Sequence, residues 1–179
     1  LVAVMAPTCA PYGPMSNVNF SSNYDGWYRS WQKASPHARF CGEIALIQLR
    51  HGRYFLREQP FPTYMDEEPP WPTVRSYPSV QAEVIDQCEV GQTGPRGFPA
   101  KKPIEILANS PELLLPFRGL RCRGGHDHDS LENGGGEQCQ IWTLDFSGRV
   151  VNGIVLLKRA LQRPPSTIYT AYALQQDLC

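Results

Sequence analysis

Leu1-Val2-Ala3-Val4-Met5-Ala6-Pro7-Thr8-Cys9-Ala10-Pro11-Tyr12-Gly13 decides how the rest of the chain is read. The first five residues are apolar without alternation, the pattern of a strand covered on both faces. Pro7, Pro11, Gly13 and Pro14 then forbid regular pairing, so the strand must end in a loop. Cys9 stands in that break. In open α/β sheets, ligand sites gather beyond the carboxyl ends of the strands. A thiol at such a place is either a nucleophile or a packed small hydrophobe.

Outward from this stretch, the next strong signal is helical. Ser35 can cap a helix and Pro36 suits its first turn. Phe40, Ile44 and Ile47 then form one apolar stripe, widened by Ala45 and Leu49. His51 suits the last turn and Gly52 the stop. A second strand follows over residues 53–58 and is ended by Gln59-Pro60-Phe61-Pro62. Strand, helix, strand is the arithmetic of a right-handed parallel crossover. Cys9 and Glu58 then lie at the carboxyl ends of neighbouring parallel strands, on one rim of the sheet. Between the first strand and the helix, residues 14–34 read as a polar loop leading into Trp27, Tyr28 and Trp31. Those aromatics either pack on the core or offer a stacking surface for bases.

Residues 59–79 hold six prolines and admit only a short helical turn near residues 73–76. Trp71 reads there as a lid or edge anchor. A third strand is expected over 82–88. Residues 89–101 are too rich in Gly and Pro for a helix, so the next strand, 104–108, is expected to run antiparallel to the third. Ser110 and Pro111 open a short helix. A last helix runs from Ser147 through Val150, Val151, Ile154, Leu157 and Leu161 to Pro164-Pro165. These boundaries give an α/β domain over residues 1–162 and a tail over 163–179.

Composition narrows the class. Formal net charge is zero and charged residues are 19%, so no global pull toward nucleic acid or membrane is expected. Seventeen prolines in 179 residues, about twice the usual share, predict short elements and many loops. No apolar run is long enough to span a membrane. The six cysteines are widely spaced and no secretory signal precedes them. Reduced thiols and an intracellular location are therefore expected. The chain opens inside an apolar strand and without Met, which is the expectation for a segment of a longer polypeptide.

Two further groups can carry chemistry. Cys122, His126 and His128, with Cys139 downstream, offer two thiols and two imidazoles in a Gly-rich loop. That is either a tetrahedral zinc set or an exposed polar loop. Arg96, Lys101 and Lys102 begin the only basic concentration, which either tracks a phosphate backbone or is simply solvated. No Gly-x-Gly-x-x-Gly follows a strand and no Walker-type loop is present.

Several of these stretches resemble known motifs in order. Met5-Ala6-Pro7-Thr8-Cys9 resembles the Pro-Pro-Cys loop of cytosine-C5 DNA methyltransferases, and Phe55-Leu56-Arg57-Glu58-Gln59-Pro60 resembles their strand ending in Glu-Asn-Val. Asp86-Gln87-Cys88-Glu89-Val90-Gly91, Lys101-Lys102-Pro103-Ile104, Leu107-Ala108-Asn109-Ser110 and Cys122…His126-Asp127-His128 are similar to a methyltransferase-like segment of copia-type retroelement polyproteins. The resemblance covers roughly residues 1–157. It implies a partial Rossmann-like sheet, mostly parallel with an antiparallel edge pair, entered at its fourth strand. It maps a nucleophile onto Cys9 and a ring-nitrogen partner onto Glu58. DNA, other segments of the parent polyprotein and a second chain across an exposed sheet edge become the expected partners. S-adenosylmethionine is implied only if an upstream half supplies its site. The departures are Thr8 for proline, Gln59-Pro60 for Asn-Val, Ile104 for Thr, and the absence of the donor loop and of a Gln-x-Arg-x-Arg motif. The expectation is an incomplete or degenerate methyltransferase-like domain, inactive by itself. The alternative is a zinc-containing nucleic-acid-binding or structural module.

Overall fold

The computed structural model describes residues 2–131 and 135–163. The expected C-terminal tail beyond 163 lies outside the described residues. Four strands form one mixed sheet in the order β1-β2-β4-β3: β1 Val2–Met5, β2 Tyr54–Pro60, β3 Gln81–Asp86 and β4 Pro103–Ala108. β1 and β2 are parallel, in the register Val2 to Tyr54 through Met5 to Arg57. β4 is antiparallel to both β2 and β3.

The α/β class stands, and so do the parallel first pair and the antiparallel return of β4. The expectation of a mostly parallel sheet does not hold: one contact of the three is parallel. The reason lies in the connections. Only the β1–β2 link contains a long helix. Without a helix between β3 and β4, β4 must turn back, and it inserts between β2 and β3, so both its contacts are antiparallel.

Helices α1, Ser16–Ser22, and α2, Tyr24–Arg50, fill the first connection. The sequence places the start of the main helix at Ser35; the structure starts it at Tyr24. Asn23 is the cap, its side-chain oxygen accepting from Gly26 N at 3.1 Å. Pro36 lies inside α2 rather than in its first turn. The helix continues through it because Ala34, Ser35, Ala38 and Cys41 are all buried against the sheet. The other end matches expectation: His51 caps it and Gly52 takes a left-handed φ of 60°. The aromatics upstream of Pro36 stack along the helix, Trp27 on Trp31 and Tyr24 on Tyr28.

Alternate residues of the central strands point to opposite faces, and each face is covered. Phe55 and Leu107 join Ala45, Leu46 and Trp71 in the core beneath α2 and the short α3, Trp71–Arg75. Trp71 is 0% exposed, so it is a core residue and not a lid or edge anchor. Its indole N–H donates to Ala38 O at 3.0 Å. Leu56, Ile104 and Ile106 join Leu113, Phe146 and Val150 in the core beneath α4, Pro111–Leu114, and α6, Leu144–Gln162. α6 starts earlier than expected, because the Thr143 hydroxyl accepts from Phe146 N. A one-turn helix, α5, spans Gly135–Gln138.

One charged cluster interrupts the apolar packing. Arg57, 0% exposed, donates to Asp66 and to Glu105, each at 2.7 Å, and lies over the Trp71 ring. Arg75 reaches the same two carboxylates. β1 and β3 are the sheet edges among the described residues, and no described helix is long and apolar enough to cross a membrane.

Candidate functional site

Strand direction assembles one rim. β1, β2 and β3 all end there, and β4, being antiparallel, begins there. Cys9 follows β1, Glu58 is in β2, Cys88 follows β3 and Lys102 precedes β4. Four residues far apart in sequence thus arrive at one edge of the sheet.

Cys9, Glu58, Lys102 and Cys139 share the wall of one cavity of about 170 Å³. Cys9, Lys102 and Gln140 continue into a wider cleft of about 440 Å³. The loop bearing Cys9 is a tight turn: Cys9 O accepts from Tyr12 N at 2.9 Å and from Gly13 N at 3.0 Å. It is tied to β2 by Gln59, whose buried amide donates to Pro7 O at 2.6 Å. Trp142, just before α6, donates its indole N–H to Glu58 Oε2 at 3.3 Å.

These surroundings set the protonation states. Burial pushes the Glu58 carboxyl up; the Trp142 hydrogen bond and the charges of Lys102 and Arg57 pull it partly back. Burial also raises the Cys9 thiol, with the Lys102 ammonium opposing and the Glu58 charge assisting. The wall thus pairs a carboxyl biased toward its acid form with a half-buried thiol and a cation that favours thiolate. That set suits addition of sulfur to an electron-poor ring whose nitrogen accepts a proton.

The expected metal residues divide. Cys122, His126 and His128 converge, with Cys122 Sγ 3.3 Å from His128 Nε2 and 3.7 Å from His126 Nε2. Their fourth companion is Cys88, and the four donor atoms lie within 4.8 Å of one another. This cluster could hold a metal ion. Cys139 stands on the Cys9 cavity instead. The sequence gives Cys88 no place among the ligands because it lies at the end of β3, far upstream of the loop; the loop is brought to it by Asp86, whose N–H donates to Leu120 O and whose carboxylate accepts from Cys122 N, each at 2.9 Å.

The basic group also divides. Arg96 is paired with Asp129 at 2.6 Å, Lys102 lines the Cys9 cavity, and Lys101 is exposed to solvent. Downstream, Arg118 pairs with Glu83 and Arg121 with Asp86. Gln59 and Gln87 stand in the motifs the chain resembles but carry no site role in the sequence reading, and Trp142 is not singled out there; each acts through a contact that only folding creates.

Comparison with protein-family models, with curated proteins and with solved structures returns no match.

Proposed function

We propose that this chain is the base-attacking part of a cytosine-C5 DNA methyltransferase-like domain of a mobile-element polyprotein, and that it does not transfer methyl groups by itself. The observation that carries the reading is the single cavity lined by Cys9, Glu58 and Lys102. A base reaches such a cavity only when it is flipped from the stack.

In this reading the Cys9 thiol gives its proton to solvent, with Lys102 stabilising the thiolate. Sγ adds to ring C6, and the ring nitrogen takes the displaced electron density with a proton from Glu58. C5 becomes nucleophilic. When C5 takes a solvent proton and loses its original hydrogen to solvent, the ring nitrogen gives its proton back to the Glu58 carboxylate, the ring double bond re-forms and Sγ departs as thiolate, so the base returns with its C5 hydrogen exchanged. The Glu58 acid form, favoured by burial, is the form this chemistry needs.

S-adenosylmethionine supplies a methyl group in the enzymes the chain resembles. The described residues do not fit it: the turn after β1 is built from Pro7 and Pro11, both buried, and β2 runs into Phe61-Pro62. A donor-binding part would have to add strands at the outer edge of β1, where Val4 is 39% exposed. Zinc is the cofactor we propose for the Cys/His cluster.

The test is tritium release from DNA carrying cytosine labelled at C5, which needs no methyl donor. Release by this chain, or by a longer chain containing it, and its loss in Cys9→Ala are expected. Glu58→Gln should slow release by about 10²-fold or more. No release from either chain overturns the reading.

A second reading, a zinc-containing nucleic-acid-binding module, draws on the Cys/His cluster. It requires salt-dependent association with DNA or RNA that survives Cys9→Ala. Absence of binding at low salt overturns it.

A further inference from the structure

We propose that Cys88, Cys122, His126 and His128 form a closed, structural zinc centre, and that this centre braces the Cys9 cavity through Gln87. Two thiols and two imidazoles are the donor set that suits zinc. A tetrahedral ion with the usual zinc–sulfur and zinc–nitrogen bond lengths separates S from N by about 3.6 Å. The observed separations, 3.3 and 3.7 Å, bracket that value. Four protein ligands leave no open position, so the ion would be structural rather than catalytic.

The local chain is shaped for it. Gly124 and Gly125 have φ of 83° and 90°, a left-handed turn that folds His126 and His128 back onto Cys122. The start of the loop is held at the end of β3, where Asp86 accepts from Cys122 N at 2.9 Å. Residues 123–127 are all exposed, so no apolar core holds this segment.

Cys88 sits in a 3-10 turn, Gln87–Val90. Its neighbour Gln87 makes two contacts that matter. Its backbone N–H donates to Lys102 O at 3.0 Å, and its side-chain amide donates to Cys139 O at 3.0 Å. Lys102 and Cys139 are both walls of the Cys9 cavity. At the end of the same turn, Val90 O accepts from the Thr143 hydroxyl, one residue after Trp142. An ion that fixes Cys88 therefore fixes the turn to which two cavity walls are bonded. The zinc centre is independent of the catalytic reading; only the importance of the bracing rests on it.

The experiment measures zinc in the protein as purified without chelator, by elemental mass spectrometry. Equimolar zinc is expected in the wild type and in Cys139→Ser, with loss in Cys88→Ser and in His126→Ala. Zinc kept by Cys88→Ser and lost by Cys139→Ser overturns the ligand set. A wild type without zinc, whose melting is unmoved by added zinc, overturns the centre. Bracing is read by peptide-resolved alkylation of Cys9. Chelation should accelerate labelling several-fold, and zinc should reverse it. Gln87→Ala, which leaves all four ligands in place, should keep the zinc and accelerate Cys9 labelling. Unchanged Cys9 labelling in both conditions overturns the bracing. Failure of tritium release with zinc and bracing intact would overturn the catalytic reading alone.

Discussion

The indole N–H of Trp142 donates to Oε2 of Glu58 at 3.3 Å, across 84 positions of sequence. This bond fastens the start of α6 to the end of β2 and holds one carboxylate oxygen against the cavity wall. A group so placed has a price in stability that depends on pH. Burial raises the Glu58 carboxyl above 4.5, although Trp142, Lys102 and Arg57 oppose the rise. Above pH 4.5 the unfolded chain holds Glu58 ionised while the folded chain still binds its proton. Stability contributed by the protonated group is complete below that pH and is lost as pH rises through the folded value. Glu58→Gln should therefore raise the melting temperature at about pH 8 relative to wild type, and change it little at about pH 4. Calorimetry at both pH values checks this. An equal shift at both would mean that ionisation of Glu58 is not the cause.

Asp66 has the opposite sign. Burial raises its pKa, but Arg57 and Arg75 outweigh that and hold it below 3.8. Its contribution is present above pH 3.8 and is lost as pH falls through the folded value. Wild type should lose stability on acidification in this range, and Asp66→Asn should lose less. Denaturant titrations at a series of pH values measure the difference.

Arg57 is the centre of that same cluster. Arg57→Met removes the buried cation and leaves Glu105 facing the apolar core with Arg75 alone. Breaking a buried pair from one side costs about 3–5 kcal/mol. Urea unfolding of the variant should show a loss of that order. Arg57→Lys should also destabilise, since one ammonium cannot reproduce a fork held by two carboxylates.

Gly42 lets α2 lie against the segment leading into α3. A Cβ there would sit 2.6 Å from Pro70 Cδ and 2.9 Å from its Cγ. Gly42 is helical and buried. Ala is the better helix former, so local propensity alone predicts a gain for Gly42→Ala. Overpacking against a rigid ring should reverse the sign, with a loss of about 1–3 kcal/mol. Stabilisation measured by denaturant unfolding would show that Pro70 can yield.

Pro36 offers the contrary test. It lies inside α2 with its ring exposed, so it withholds a helix N–H and contributes little packing. Pro36→Ala should restore that hydrogen bond and stabilise the fold by up to about 3 kcal/mol. A loss instead would show that Pro36 is needed to seat Ala34 and Ala38 on the sheet.

These particulars show where local pattern sufficed. The stretches at residues 2–5 and 104–108 read correctly as strands; β4 is buried along nearly its whole length, as a strand covered on both faces is, whereas β1 is a sheet edge with Val4 39% exposed, so the expectation that it is covered on both faces does not hold. The absence of a possible helix in residues 89–101 was enough to turn β4 antiparallel. Cys9 and Glu58 could be named together because two parallel strands end on the same side. Pro36 misled because a proline is a valid helix start when judged by its neighbours alone. Inside a helix it is tolerated when tertiary burial outweighs the missing bond, and sequence does not display that burial.

By itself, then, the sequence determined the four strands, the later part of α2, the first parallel pair and the rim that carries Cys9 and Glu58, since these follow from residue periodicity, proline placement and connection length; it read residues 14–34 as a loop, where the structure has α1 and the first turns of α2. Tertiary structure alone decided that β4 inserts between β2 and β3, that Cys88 rather than Cys139 completes the Cys/His cluster, and that Gln87, Lys102 and Trp142 meet around one cavity. The physical reason is range. Periodicity and capping act over a few residues, whereas strand order and the convergence of side chains are set by which faces must be buried together once the whole chain has folded.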